Sequence, residues 1–111
     1  MSEAARLPTH LEAGALIRQT QANGGFATVL QKGEPDAGTL LLVLTERGGH
    51  ARVYERMPRP DGSRGWTLAR REDPDNKTDL QEWLARRGDQ DPDLWIVELD
   101  IANAERFIGI T

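Results

Sequence analysis

Residues 40–44, Leu-Leu-Leu-Val-Leu, are apolar without interruption, and no amphipathic element accommodates them. A half-wet strand alternates apolar and polar positions, and a surface helix needs a polar face. Such a run is therefore read as a strand that sits centrally in a sheet or is covered on both faces. Residues 94–99, Leu-Trp-Ile-Val-Glu-Leu, are apolar at five of six positions. They are rich in residues that fit a pleated, buried surface, so they form a second interior strand despite their late place in the chain.

The rest of the chain supplies elements around these two. Strands are predicted at 26–32, 39–46, 50–57 and 65–71, separated by turn chemistry at Pro35, Asp36 and Gly38 and at Gly48-Gly49. Both of those connections are read as hairpins. In the third strand Ala51, Val53 and Met57 alternate with Arg52, Tyr54 and Arg56, which gives it a wet side. Thr9-His10-Leu11-Glu12 has the form of a capping box, so a first helix is predicted from near His10 to the stop at Asn23-Gly24-Gly25. It would turn Leu11, Ala15 and Leu16 or Ile17 to the core. A second helix is entered at 73–76, carries Leu80, Trp83, Leu84 and Arg87 on one face, and ends at Gly88. The tail, 101–111, is either a short helix around 102–106 or a last extended piece. The predicted fold class is α+β: a mainly antiparallel sheet of about five strands, built as a four-stranded meander plus the late interior strand beside the first or second strand, with two helices on one face. Residues 1–111 are read as one domain, with 1–6 as a flexible tail.

The 111 residues include no cysteine, which excludes disulfides, thiolate–zinc sites and a cysteine nucleophile. No apolar run approaches the roughly 18 residues of a membrane span, and the expected setting is a reducing cytoplasm. With a formal net charge of −4, attraction of the whole molecule to nucleic acid is not expected, and any such role would need a local patch. The basic residues are nearly all arginine, which suits phosphate recognition, but a biased genome gives the same skew.

Asp89, Asp91 and Asp93 fall at alternate positions and Asp100 closes a twelve-residue window, as in a calcium loop. That loop requires glycine at its sixth position and a bidentate glutamate at its twelfth, where this chain has Leu94 and Asp100. The window is read instead as a helix-to-strand connection whose aspartates are turn residues around Pro92.

The early helix, the segment GGFATVLQKGEPDAGTLLLVL and the late DPDLWIVELD together resemble domain of unknown function family 1491, a family of small alphaproteobacterial proteins. The likeness covers residues 7–107. It rests on the Gly-Gly-Phe opening of the first strand, the Asp36-Ala37-Gly38 turn and the Asp-Pro-Asp-Leu-Trp segment. The resemblance implies a bacterial cytoplasmic setting and carries over no activity and no functional residue.

Catalytic chemistry is thinly represented. Serines occur only at Ser2 and Ser63 and histidines only at His10 and His50, so a serine triad is not expected and the histidines read as polar rim residues. Neither Gly24-Gly25 nor Gly48-Gly49 lies between a strand and a helix as a phosphate loop does. Metal-ligand spacing is absent, and no metal or cofactor is predicted. Glu34 with Asp36, and Glu98 with Asp100, are carboxylate pairs that would do acid–base work only if burial separated their proton affinities. Trp66, Trp83 and Trp95 read as core packing.

Charge segregation is the least ordinary feature. Residues 47–71 hold seven arginines against Glu55 and Asp61, a local +5, while 72–93 hold eight acids against Lys77, Arg86 and Arg87, a local −5. In the plainer reading the acidic helix neutralises the basic hairpin. In the sharper one Arg52, Tyr54 and Arg56, joined across the strands by Arg71 and by Thr67, form an uncovered face that stacks a base or docks an anionic segment. The favoured function is a non-catalytic binding or interaction module whose partner is another protein or a second copy through a sheet edge. The rival from another class is a small enzyme using His10 or His50 with Asp and Glu residues.

Overall fold

The computed structural model describes residues 7–58, 60–61 and 64–110; the expected tail over 1–6, Ser2 and Ser63 lie outside the described residues. The elements in chain order are α1 (Thr9–Ala22), β1 (Phe26–Gln31), β2 (Leu40–Glu46), β3 (Gly49–Pro58), β4 (Arg64–Arg71), α2 (Lys77–Gln90), β5 (Trp95–Asp100) and α3 (Ala104–Phe107). The fold is α+β, and the sheet is mostly antiparallel. Its five strands lie in the order β1-β5-β2-β3-β4, with β5 antiparallel to β1 and parallel to β2.

The expected hairpin between β1 and β2 does not form, because β5 lies between them. The intervening glycines serve a different purpose from the one predicted. A Cβ on Gly33 or Gly38 would run into the backbone around Asp93, so these residues permit close approach of two chains rather than a tight reversal. The loop is tied to the approach of β5: Glu34 N–H donates to the Asp93 carbonyl at 3.0 Å, Trp95 N–H to the Thr39 carbonyl at 2.8 Å, and Trp95 Nε1 to the Glu34 carbonyl at 2.7 Å.

The two main helices cover opposite faces of the sheet, not one. Leu40, Leu42 and Leu44 join Trp95, Val97 and Leu99 in a core beneath Ala13 of α1 and Ala104 of α3. The alternate residues Leu41, Val43, Val53 and Ile96 pack with Leu94 and with Leu80 of α2. Both parities of the 40–44 run are apolar, and only a sheet clothed on both sides removes all of them from water. β2 and β5 are accordingly buried almost throughout.

The helix ends also differ from expectation. The Thr9–Glu12 capping box does not form, and α1 begins with no side-chain cap. Its first N–H groups are met by the β1–β2 loop instead, Thr9 N–H by the Asp36 carbonyl at 3.2 Å and His10 N–H by that of Pro35 at 2.8 Å. The Thr9 hydroxyl donates to the Gly38 carbonyl at 2.7 Å. The orphan donors of a helix start need acceptors, but these are supplied from across the fold. At the other end, Gly24 takes the left-handed conformation, with φ 86°, and α1 stops where predicted. α2 does not stop at Gly88 but runs on to Gln90. Gly88 is buried, and a Cβ there would strike the side-chain amide of Gln31 on β1.

Candidate functional site

On β3 the predicted alternation holds, and its consequence is reversed. Arg52, Tyr54 and Arg56 do share one face, but it is the face beneath α1 and α3 and not an uncovered one. Arg52 is 9% exposed and Tyr54 6%. Register explains this: Leu42 lies opposite Tyr54 and Leu44 opposite Arg52, so the arginine-bearing parity falls beside the leucines of the first core.

The charge brought in with Arg52 is met by Glu105 of α3. Arg52 Nε donates to Glu105 Oε2, Nη2 donates to Oε1 at 2.5 Å, and the Tyr54 hydroxyl donates to Oε2 at 3.1 Å. A fork of this kind is the strongest ion-pair geometry available to a side chain. The Arg52 hydrogen bonds hold the Glu105 carboxyl far down, at about 2, against the opposing effect of burial. Arg52 is pushed above its ordinary value by the same bond, and Tyr54 is raised by desolvation and by its bond to Glu105. All three shifts favour the bonded, fully paired state. A group held that far from neutrality in its charged form is a structural anchor and a poor proton shuttle.

Arg56 is engaged through Nη2 alone, its buried Nε having no hydrogen-bond partner among the described residues. It donates to Glu12 of α1 and stacks over Trp66 at 4.2 Å from the ring centroid. Arg71 is brought to the same face, opposite Arg52, by a bulge that leaves Ala69 as an extra residue on β4, and it is exposed. Thr67, opposite Glu55, falls on the other face. There the basic hairpin meets the acidic helix, with Arg70 paired to Asp79 at 2.6 Å and Arg87 to Glu55 at 3.2 Å. Trp83 lies under both cations, at 5.6 Å from Arg70 and 5.4 Å from Arg87. Of the tryptophans, Trp95 is core, while Trp66 and Trp83 are half-buried and serve as platforms for arginine.

Three of the carboxylates singled out from spacing, Glu34, Asp91 and Asp100, are occupied by backbone. Glu34 Oε2 accepts from Asp36 N–H at 3.0 Å and Ala37 N–H at 2.5 Å. Asp100 accepts from Arg47 N–H at 2.9 Å and Gly48 N–H at 2.7 Å. In the former calcium window, Asp91 Oδ1 accepts from Asp93 N–H at 3.1 Å, an Asx turn between α2 and β5. Glu98 accepts a single bond, from the Thr45 hydroxyl at 3.2 Å.

The histidines are not joined to carboxylates among the described residues. His10 Nδ1 donates to the Pro35 carbonyl at 3.0 Å. His50 has a left-handed backbone, φ 54°. It lines a cavity of about 930 Å³ at one end of the sheet, with Arg47, Asp100, Phe26 and Phe107. There both Asp100 oxygens are already held by the β2–β3 turn. Sequence reasoning missed Glu105 and Glu12 as the partners of the arginine face. Glu105 lies in a tail that the sequence leaves open between a short helix and an extended piece, of which the helix forms, and Glu12 reads as part of a cap.

The two edges of the sheet differ in character. Among the described residues, exposed large hydrophobic side chains concentrate on β1 and the start of α1: Phe26 75%, Val29 44% and Leu30 49% exposed, with Leu7 61% and Leu11 46%. β4, the other edge, exposes Leu68 at 40% and carries Arg64, Arg70 and Arg71. No helix among the described residues is long and apolar enough to cross a membrane.

Comparison with known proteins agrees with this architecture. A family model described as a protein of unknown function, DUF1491, matches residues 7–109. The crystal structure of a DUF1491 family protein from Caulobacter crescentus CB15 is similar with a TM-score of 0.80 at 34% identity, over 95% of this chain and 97% of that one. An NMR structure of a DUF1491 family protein from the same organism gives 0.77 at 34% identity, over 94% of each chain. The solution structure of a protein from A. tumefaciens gives 0.70 at 27%, over 91% of each. No curated protein matches. With a family model spanning nearly the whole chain, and a solved member that shares its fold and a third of its residues, this chain belongs to the DUF1491 family.

Proposed function

We propose that the chain is a non-catalytic interaction module of the bacterial cytoplasm, acting as one domain, and that the free edge of β1 is its contact surface. The observation that carries this reading is the exposure of Phe26, Val29 and Leu30 on a strand bonded on one side only. Residues 23–31 carry no charge and no proline. Edge strands in monomers are ordinarily guarded by charge, proline or short length, because unpaired N–H and C=O groups invite another strand. β4 is guarded by its arginines, and β1 is not.

An added strand gains main-chain hydrogen bonds from such an edge, with apolar side chains on both faces to set its register. A second copy of the chain fits directly. Antiparallel pairing of β1 with itself about a two-fold axis opposes no like charges, and an isologous contact of this kind closes at two subunits. Sedimentation velocity across a range of protein concentration tests the reading. Wild type is expected to approach twice the monomer mass, and Leu30→Lys is expected to remain monomeric with an unchanged circular dichroism spectrum. A wild-type chain that stays monomeric at every concentration overturns self-association.

A second reading keeps Arg52, Tyr54, Arg56 and Arg71 as an anion- or nucleic-acid-binding face. It is supported by the exposure of Arg71 beside Tyr54. Against it, Arg52 and Arg56 already give their guanidinium groups to Glu105 and Glu12.

A further inference from the structure

Two antiparallel β1 strands can meet in only a few registers. A two-fold axis normal to the sheet keeps every side chain on its own face, and residues opposite each other in a ladder share a face. The axis therefore passes through one residue and its own copy, never between two neighbours. β1 is irregular after Val29, where Leu30 stands as an extra residue between the pairs Val29–Val97 and Gln31–Ile96. An axis at Val29 would trap both bulges inside the paired stretch, and one at Ala27 would set Leu30 opposite the turn at Gly24. An axis at Thr28 pairs residues 26–30 and leaves the bulges at the two ends.

In that register Phe26 lies opposite the partner's Leu30 and Val29 opposite the partner's Ala27, each contact occurring twice. These are the side chains a single copy leaves in water, with Phe26 75%, Val29 44% and Leu30 49% exposed. Leu30 lines a cavity of about 350 Å³ with Leu80 and Leu84 of α2, so the partner's Phe26 arrives at an apolar rim. Covering the three side chains removes roughly 300 Å² of apolar surface per copy. With the polar share usual at an interface, the contact totals about 1,000 Å², the size of weak, reversible association. Charge also favours a second copy. Residues 23–31 carry none, and the exposed Lys32 is carried toward the partner's Gly24 and Gly25, beside the cavity where Glu46 and Asp100 outnumber Arg47.

We infer that two copies associate through antiparallel β1 strands centred on Thr28, joining two five-stranded sheets into one, with Phe26 of each copy covering Leu30 of the other at the rim of the cavity beside α2. The inference rests on the strand-edge reading and fixes its register. Thr28, exposed in the single copy, then faces its own copy across the axis, where two hydroxyls can hydrogen-bond.

Because the chain holds no cysteine, single-cysteine variants measure the register directly. At the axis the two Cα atoms of residue 28 lie about 4.5–5.5 Å apart, within the span of a disulfide, while those of residue 29 lie about 8 Å apart, beyond it. In a glutathione redox buffer Thr28→Cys is expected to form a covalent dimer about tenfold faster than Val29→Cys. Phe26→Glu and Leu30→Lys are each expected to weaken association about tenfold by sedimentation velocity, and the double variant, which sets opposite charges across both contacts, to recover most of the loss. Faster cross-linking of Val29→Cys, equally slow cross-linking of both while wild type dimerises, or a double variant no better than either single one would overturn the register and leave the strand-edge reading standing. A wild-type chain monomeric at every concentration overturns both.

Discussion

Replacing Glu105 with glutamine removes the charge that holds Arg52 and Tyr54 while keeping the shape of the side chain. In the native fold the carboxyl is held at about 2, against roughly 4.3 for an unperturbed glutamate. At 1.36 kcal/mol per pH unit this is about 3 kcal/mol of preference for the ionised form. The Glu105 side chain retains 28% of its surface in contact with water and Arg52 only 11%, so solvent screening lowers the figure to about 2 kcal/mol. Because the folded-state value lies below the unfolded one, this stabilisation is fully present above about pH 5 and is lost as the pH falls toward 2. Glu105→Gln is therefore expected to cost about 2 kcal/mol at pH 7, measured by urea unfolding followed through tryptophan fluorescence. The gap between variant and wild type should narrow steadily as the pH is lowered below 5. A variant within ~0.5 kcal/mol of wild type at pH 7, or a gap that does not change with pH, would refute the argument that this fork latches α3 to β3.

Gly88→Ala ought to raise helix propensity by up to ~1 kcal/mol, yet its Cβ meets the Gln31 amide, which is held by bonds to the Leu94 and Asp91 carbonyls. A net loss of about 1–2 kcal/mol is expected, and Gln31→Ala in the same chain should recover part of it; a stabilised Gly88→Ala protein would contradict the contact. Asp100→Ala leaves Arg47 N–H and Gly48 N–H to water, which should cost about 1 kcal/mol and speed hydrogen exchange at Gly48, whereas unchanged exchange would show that the turn holds itself. For the arginine face, labelled single-stranded RNA, DNA and an acidic peptide at low salt should bind neither wild type nor the Arg52→Ala, Arg56→Ala double variant. Salt-sensitive binding lost in that variant would restore the face as a site.

The sequence disclosed the interior of this protein better than its arrangement. The 40–44 and 94–99 runs fixed two buried strands because hydrophobic periodicity is local. The charge blocks foretold the pairing of Arg70 with Asp79, whereas Arg87 with Glu55 pairs a base of the acidic block with an acid of the basic one. The order of strands was not legible, since β1 finds its partner in β5 across most of the chain and no short-range pattern encodes that meeting. Gly33 and Gly38 looked like turn residues and proved to be points of close approach to Asp93. The parity of Arg52, Tyr54 and Arg56 was read correctly, but which face is wet depends on Glu105 and Glu12, one in the tail and one in α1.

Pairing of the β1 edge with another β1 is measured most directly, at the bonds concerned, by amide hydrogen exchange at low and high protein concentration. β1 amides facing away from β5 should exchange rapidly in dilute solution and become protected as concentration rises, while outward amides of β4 exchange rapidly at both. β1 amides that exchange as fast as those of β4 at every concentration would contradict it.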